Sequence, residues 1–142
     1  MGQKKILIVD DDPDIRLSLH VRLKANHYDV VFAEDGVGGI AEARKQMPDL
    51  IILDLGLPAG DGFSVMERLQ ANNILSTIPV IVVSGRDRNA NRDRAIKAGA
   101  KAFLQKPVDN ARILAVIRQV LGEKDDDAPA AVYDLGQRYP EG

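Results

Sequence analysis

The chain has 142 residues, a length suited to one domain with a substantial core, and 45% of them are hydrophobic and 28% charged, as in ordinary globular proteins. Its formal net charge of -2 predicts no general attraction to nucleic acid or to an anionic membrane. It contains no cysteine, which excludes disulfides, thiolate metal sites and a cysteine nucleophile.

The amino-terminal sequence shows no targeting pattern. Its first apolar run, residues 6–9, is far too short for a signal-peptide core or a membrane span. Position 6 is Ile, where an N-myristoylation pattern has Ser or Thr. We therefore expect a cytoplasmic protein without a membrane partner.

The first predicted strand is the aliphatic run at residues 6–9. Asp12 and Pro13 then predict the start of a helix, because Asp caps free backbone amides and Pro suits the first helical position. The apolar residues that follow recur every four positions, as on one face of a helix: Ile15, Leu19 and Leu23.

A second strand is predicted over residues 30–33 and a third over residues 50–53. Between them, residues 37–46 predict a helix that contains Gly38 and Gly39. Each glycine weakens a helix by about 1 kcal/mol, and no feature of the sequence accounts for the pair.

The second half of the chain continues the alternation of strand and helix. A loop is indicated by Pro58, Gly60 and Gly62. The predicted elements after it are a helix around residues 65–69, a strand over 79–83, a polar helix over 89–98 closed by Gly99, a short strand over 102–104 and a helix over 113–121. Five strands alternating with five helices predict an α/β fold with a parallel sheet covered on both faces.

Polar side chains follow four of the five predicted strands. In an open parallel sheet, ligands bind beyond the carboxyl ends of the strands. The residues at those ends are Asp10, Asp11 and Asp12 after the first strand, Asp54 after the third, Ser84 after the fourth and Lys106 shortly after the fifth.

Each of these residues alone has an ordinary structural explanation. Asp12 is best explained as a helix cap, Ser84 as a turn residue and Lys106 as a solvated surface charge. Their convergence on one edge of the sheet favours a shared site instead.

Clustered carboxylates raise one another's pKa unless a cation lies among them. The available ligands are all oxygen atoms, which suit Mg²⁺ better than Zn²⁺. Phosphoryl transfer depends mainly on positioning and charge neutralisation, and a carboxylate such as Asp54 can form an aspartyl phosphate. The pattern therefore predicts Mg²⁺-dependent phosphoryl chemistry with Asp54 as nucleophile and Lys106 as a second cation.

Four segments of the chain resemble motifs of the response-regulator receiver domains of two-component signalling. They are LIVDDDP, LDLGLPAGDG, VVSG and FLQKP, and they follow the family's order and approximate spacing. The resemblance covers about residues 4–121. It implies a flavodoxin-like, doubly wound sheet of five parallel strands in the order 2-1-3-4-5 with five helices, as in the chemotaxis regulators of the family.

The resemblance also implies a metal site. Asp54 corresponds to the phosphoacceptor, and Asp10 and Asp11 correspond to the family's acidic pair. Asp11 is expected to bind Mg²⁺ directly and Asp10 through water, while Gly56 offers its backbone carbonyl.

A second group of residues corresponds to the family's switch. Ser84 matches the hydroxyl residue that binds the phosphoryl group, and Lys106 matches the lysine that pairs with it. Phe103 matches the switch aromatic, although it also suits an ordinary core position. The peptide bond before Pro107 is expected to be cis, which proline permits at small cost.

The two positions that tune phosphate lifetime in this family are Gly56 and Arg86. Gly56 has no side chain to guide an attacking water, and Arg86 is a cation able to lie over the phosphoryl group. We therefore expect slow dephosphorylation that Arg86 modifies.

The resemblance implies a switch and not an enzyme that turns over external substrates. The expected activities are self-phosphorylation from phosphodonors and slow self-dephosphorylation. The expected donor is a histidine kinase or a histidine phosphotransfer protein. Phosphorylation is expected to change the surface around the fourth helix, fifth strand and fifth helix, which faces a downstream protein not identified by the sequence. Both a monomer and a phosphorylation-dependent dimer are compatible with the sequence, and no direct contact with nucleic acid is expected.

We predict a receiver domain over residues 1–122. Residues 123–142 predict a flexible acidic tail or linker, with a docking segment around Tyr133, Leu135 and Tyr139 as the alternative.

Three other functions are weighed against the receiver. A phosphatase of the haloacid-dehalogenase type usually has a second Asp two residues after its nucleophile, where this chain has Gly56. A flavodoxin-like FMN protein would need a phosphate-binding loop where this chain has three Asp residues. A degenerate receiver that only binds a partner would lack an acid, the Ser or the Lys, and all are present.

Overall fold

The structure of the chain, a computed structural model, describes residues 2–58 and 61–123. Five strands alternate with five helices, as predicted, and a short 3₁₀ helix that the sequence does not indicate precedes the fourth strand. In chain order the elements are β1 (Lys5–Val9), α1 (Pro13–Ala25), β2 (Asp29–Ala33), α2 (Gly36–Gln46), β3 (Leu50–Leu53), α3 (Gly62–Ala71), the 3₁₀ helix (Leu75–Thr77), β4 (Val80–Ser84), α4 (Arg88–Lys97), β5 (Ala102–Gln105) and α5 (Asn110–Val120).

The five strands form one parallel sheet in the order β2-β1-β3-β4-β5. This confirms the flavodoxin-like arrangement that the resemblance implies. The three inner strands are almost entirely buried, which explains why they read as unbroken apolar runs. The order brings the carboxyl ends of β1 and β3 side by side, with β4 next to β3.

The sheet separates two hydrophobic cores, because alternate side chains of each strand point to opposite faces. The core on the side of α2, α3 and α4 includes Leu7, Val9, Leu53, Val82, Ala95 and Phe103. The core on the side of α1 and α5 includes Ile6, Ile8, Leu19, Leu23, Ile113, Val116 and Ile117.

The helix boundaries follow the expected capping pattern. The Asp12 side chain accepts a hydrogen bond from the Asp14 amide at 2.9 Å, and Pro13 is the first residue of α1. After α4, Gly99 has a φ of 112°, a left-handed conformation that favours glycine. Both predictions are confirmed.

The glycine pair in α2 has a structural reason that the sequence does not show. A Cβ atom on Gly39 would lie only 3.0 Å from Val9 Cγ1, so this glycine lets α2 pack closely against β1. A Cβ atom on Gly38 would lie only 3.1 Å from Asp35 Oδ1, the atom that caps the helix by accepting a 2.7 Å hydrogen bond from the Gly38 amide. Close packing next to Asp10 thus offsets the low helix propensity of glycine.

α4 buries few of its residues and is also held by polar contacts. Of its ten residues only Ala95 is buried, whereas α3, of equal length, buries five. At its start, the Ala90 amide donates to Asp87 Oδ2 at 3.0 Å and the Arg88 amide donates to Gln105 Oε1 at 3.1 Å.

At the amino-terminal end of the strands, Tyr28, which directly precedes β2, contacts Glu123, three residues after the end of α5. Its buried phenol donates to Glu123 Oε1 at 2.5 Å. The Glu123 amide donates to the Arg118 carbonyl at 2.7 Å, and its carboxylate lies 3.9 Å from Lys4 Nζ. Glu123 therefore contacts the folded domain.

The rest of the predicted tail, residues 124–142, lies outside the described residues, as does the proposed docking segment around Tyr133, Leu135 and Tyr139. Within residues 2–58 and 61–123, no helix combines the length and the apolar character needed to cross a bilayer.

Burial, together with the hydrogen bond to Glu123, raises the pKa of the Tyr28 phenol well above its ordinary value. The folded state therefore holds this proton more tightly than the unfolded chain, so the contribution to stability is complete below about pH 10 and is lost at higher pH. We expect Tyr28→Phe to lower the free energy of unfolding by about 1 kcal/mol near neutral pH.

Between about pH 8 and pH 11, Tyr28→Phe should lose less stability than the wild type, because it lacks this titrating group. Urea titrations of both proteins at the two pH values measure the difference. Equal losses in the two proteins would contradict the assignment.

Candidate functional site

Two buried carboxylates lie side by side at the carboxyl end of the sheet. Asp10 follows β1 and Asp54 follows the neighbouring β3, whose register is held by a 3.0 Å hydrogen bond from the Asp54 amide to the Val9 carbonyl. Asp10 is 4% exposed and Asp54 is 8% exposed, whereas Asp11 is exposed to solvent. One carboxylate oxygen of each of these three residues lies within 4.8 Å of the others. The sheet order thus brings together the predicted acidic cluster.

Lys106 places its ammonium between the two buried carboxylates. Its Nζ atom lies 2.9 Å from Asp10 Oδ2 and 3.2 Å from Asp54 Oδ2. Its backbone amide donates to the Ser84 carbonyl at 2.8 Å, which continues the pairing of β5 with β4, and the Lys106–Pro107 peptide bond is cis. Lys106 is therefore part of the site and not a solvated surface charge.

The second oxygen of each buried carboxylate accepts a backbone hydrogen bond. The Asp12 amide donates to Asp10 Oδ1 at 2.9 Å, and the Gly56 amide donates to Asp54 Oδ1 at 3.1 Å. The Arg16 guanidinium donates to the Asp10 carbonyl at 2.7 Å and so fixes the turn after β1. Both carboxylates are thus held in one orientation by the loops that follow their strands.

The electrostatics of the cluster show incomplete compensation of charge. Burial raises the pKa of the Asp10 carboxyl above its ordinary value, although the hydrogen bonds from Lys106 and Asp12 oppose this. Burial alone would lower the pKa of Lys106, but its hydrogen bonds to Asp10 and its attraction to Asp54 outweigh burial and raise it. The lysine therefore stays protonated, while the negative charge of the Asp10 carboxylate is only partly balanced by its neighbours.

The donor set suits a hard divalent cation. Three carboxylates and one ammonium leave the cluster of Asp10, Asp11, Asp54 and Lys106 with a net charge of -2. No hydrogen bond or ion pair within the described part of the chain engages the Asp11 carboxylate. All the converging ligand atoms are oxygens, as Mg²⁺ prefers. Asp10, Asp11 and Asp54 can therefore hold a divalent metal.

Ser84 and Phe103 lie on the same face of the sheet, towards α4. Ser84 ends β4 and is fully buried, and its Oγ accepts a 3.1 Å hydrogen bond from the Arg86 amide. Phe103 is also fully buried and pairs with Val82, two residues before Ser84. Side chains two residues apart on a strand share a face, so Ser84, Val82 and the Phe103 that pairs with Val82 all point into the same core.

An ion pair joins the two loops beside the cluster. Arg86 donates from Nη2 to Asp61 Oδ1 at 2.9 Å. Behind it, Arg94 lies over the Phe63 ring at 3.8 Å from the centroid, and Arg86 Cζ lies 6.0 Å from the same centroid. The sequence indicates a role for Arg86, but at Asp61, just before Gly62, it indicates only a loop and not this ion pair.

A sequence model of the response regulator receiver domain matches residues 6–118. The chain belongs to the response regulator receiver domain family. This membership favours the receiver over the phosphatase and the flavin-binding protein as the class of the chain. Receiver domains are typically signalling domains of two-component systems and not catalysts.

Two curated relatives are similar to this receiver. The DNA-binding dual master transcriptional regulator RpaA of Synechocystis is 39% identical over 127 residues, which are 89% of this chain and 53% of RpaA. Protein PilH of Pseudomonas aeruginosa is 36% identical over 117 residues, which are 82% of this chain and 97% of PilH. The receiver thus spans about half the length of RpaA and nearly all of PilH.

Solved receiver structures share the fold. The receiver domain of sensor histidine kinase PA1611 from Pseudomonas aeruginosa, solved with magnesium coordinated in its active-site cleft, superposes with a TM-score of 0.78 at 27% identity. The match covers 87% of this chain and all of that one.

The exposed carboxylate of Asp11 provides a test of divalent-cation binding with Mg²⁺ as the probe. Mg²⁺ should stabilise the wild-type receiver, by about 2.7 kcal/mol at a concentration about 100 times the Kd. Asp11→Asn should lose most of this stabilisation, because a ligand and a negative charge are removed. Thermal unfolding with Mg²⁺ and with EDTA measures it.

Asp12→Asn is the matched control. Position 12 lies next to the cluster, and Asn caps a helix as well as Asp does. It should respond to Mg²⁺ like the wild type. Equal Mg²⁺ responses of the Asp11 and Asp12 variants would show that the cluster does not hold the cation.

Proposed function

We propose that this receiver is a phosphorylation switch that accepts a phosphoryl group on Asp54 from a histidine kinase or a histidine phosphotransfer protein. The observation that carries the proposal is the setting of Asp54. Its carboxylate is nearly buried, is oriented by the Gly56 amide and by Lys106, and lies within 4.8 Å of two further carboxylates. A metal cation bound at this cluster would offset the negative charge of both the carboxylates and a phosphoryl group, which favours transfer to Asp54.

Mg²⁺ is the metal we propose, because the ligands are oxygens and because magnesium occupies the cleft of the PA1611 receiver. Asp11 and Asp54 would bind it directly, together with the backbone carbonyl of Gly56. For Asp10 we propose an indirect role through water, as the resemblance to the family's acidic pair implies. When bound at these residues, the metal would supply positive charge that offsets the negative charge of the phosphoryl oxygens.

In the proposed transfer, a carboxylate oxygen of Asp54 attacks the phosphorus atom and forms an O–P bond. The P–N bond of the phosphohistidine breaks, and the bonding electrons leave with the imidazole, which takes up a proton. The Lys106 ammonium, already 3.2 Å from Asp54, neutralises negative charge on the transferred group.

The switch we propose depends on Ser84 and Phe103. The Ser84 hydroxyl binds the phosphoryl group, and the Phe103 ring fills the space that Ser84 leaves. The surface formed by α4, β5 and α5 then changes and meets a downstream protein. Phosphate shifts this equilibrium only by the difference in its interaction with the two states.

The same proposal assigns residues 1–122 to the receiver domain and residues 123–142 to an acidic tail or linker. The protein acts in the cytoplasm, without direct contact with nucleic acid or membrane, as a monomer or as a dimer formed on phosphorylation. Its own chemistry is limited to self-phosphorylation from small phosphodonors and slow self-dephosphorylation.

Incubation with acetyl phosphate and Mg²⁺ tests the phosphoacceptor. Intact mass spectrometry should show one added phosphoryl group on the wild type and on Asp14→Asn, an exposed aspartate outside the cluster. The adduct should be absent from Asp54→Asn and from samples with EDTA. An adduct retained by Asp54→Asn would refute the assignment of Asp54.

Absence of an adduct from every sample would leave either an acceptor that responds only to a protein donor or a module that only binds. Beryllofluoride, which mimics the phosphoryl group, separates these two. Mg²⁺-dependent shifts of amide resonances near Ser84 and Phe103 indicate the former.

We expect slow loss of the phosphoryl group because Gly56 has no side chain to guide water and because Arg86 shields the group. Arg86→Ala should lose phosphate severalfold faster than the wild type, measured as the decay of the mass adduct after removal of acetyl phosphate. An unchanged decay would show that Arg86 does not slow dephosphorylation.

A further inference from the structure

We propose that Asp61 is a positioning residue for the phosphorylation reaction, which holds Arg86 away from the acceptor and yields it to a bound phosphoryl group. This inference rests on the proposed function, because it requires an anion at Asp54. It adds a competitor for Arg86: Asp61 belongs to the LDLGLPAGDG motif, but the motif does not indicate its pairing with Arg86.

The backbone next to Asp61 packs against the backbone of the phosphoacceptor. The next residue, Gly62, donates its amide to the Leu55 carbonyl at 3.0 Å. A Cβ atom on Gly62 would lie 2.7 Å from the Asp54 carbonyl oxygen and 2.5 Å from Leu55 Cα, so the start of α3 packs directly on the backbone of the acceptor. Glycine permits this approach and keeps Asp61 at the edge of the site.

The side chain of Asp61 does not do what its position predicts. Asp12, Asp35 and Asp87 each precede a helix and accept a hydrogen bond from an amide of its first turn. Asp61 and Asp109 also precede helices, yet neither side chain makes a capping hydrogen bond. The Oδ1 atom of Asp61 accepts from Arg86 Nη2 at 2.9 Å instead. The carboxylate is therefore committed to Arg86 and not to α3.

Arg86 is connected to the switch by its backbone and to Asp61 by its side chain. Its amide donates to Ser84 Oγ at 3.1 Å. A movement of the Ser84 hydroxyl towards a phosphoryl group would therefore change this hydrogen bond and the position of the Arg86 backbone. The ion pair crosses from the loop after β4 to the loop after β3. It therefore restrains the two loops that border Asp54.

This ion pair is suited to exchange. About 40% of each side chain is exposed, and such pairs contribute little to stability. A phosphoryl group carries more negative charge than a carboxylate and offers three acceptor oxygens, so it competes well for a guanidinium. Arg94 keeps its own contact with the Phe63 ring, which holds α4 beside α3 when Arg86 leaves.

The two partners of a competing pair have opposite effects on anion binding. Loss of Asp61 frees Arg86 and should strengthen binding, whereas loss of Arg86 removes the cation and should weaken it. If the pair only supported the loops, the loss of either partner would disturb the site in the same direction.

The test is a calorimetric titration of beryllofluoride into the 142-residue chain with saturating Mg²⁺. Asp61→Asn should bind severalfold more tightly than the wild type, and Arg86→Ala should bind severalfold more weakly. The double variant Asp61→Asn/Arg86→Ala should match Arg86→Ala, because Asp61 acts only through Arg86.

Asp29→Asn is the matched control, since it removes an equally exposed aspartate from another ion pair, 3.6 Å from Lys24 and distant from the site. It should bind like the wild type. Titration of Mg²⁺ alone should give the same affinity for the wild type and Asp61→Asn.

Changes in the same direction for both single variants would overturn the proposal. So would tighter binding by Asp61→Asn that persists without Arg86, since that result indicates a general effect of removing negative charge. A wild type that binds neither beryllofluoride nor a phosphoryl group would instead refute the proposed function, and this inference with it.

Discussion

The contact of one lysine with two buried aspartates is the interaction on which the rest of the site depends. Lys106 lies within 3.2 Å of both Asp10 and Asp54, yet a single ammonium does not balance the carboxylates around it. The fold thus retains an excess of negative charge in a partly buried place, which costs stability in the absence of a cation. A site of this kind can hold a cation, because folding leaves its negative charge only partly balanced.

The parallel sheet makes this arrangement possible. Each strand ends at the same edge, so side chains far apart in sequence meet there without a dedicated binding loop. Packing on the two faces fixes the details, since Gly39 lets α2 rest on Val9 directly before Asp10. The position of the carboxylates therefore depends on helix–sheet contacts as much as on the local turns.

Strands, helices and the acidic edge could be predicted from the sequence because each has a local signal. Apolar runs mark the strands, and Asp10 and Asp54 follow two of them directly. The strand order came from resemblance, because the sequence pattern alone does not determine which strands are neighbours. Other features depend on distant partners. Asp61 and Arg86 are 25 positions apart, and Tyr28 and Glu123 are 95 apart, so no local pattern indicates either contact.

The scarcity of buried residues in α4 has a consequence for the conditions in which the domain operates. Hydrophobic contacts hardly respond to moderate salt, whereas ion pairs and exposed charge-assisted hydrogen bonds are screened by it. With Ala95 as its one buried residue beside the partly buried Ile96, α4 depends more than the other helices on the second kind of contact. Ionic strength should therefore loosen this helix before the others, so that amide hydrogen exchange in α4 reports the salt content of the surrounding solution as well as the state of the proposed switch.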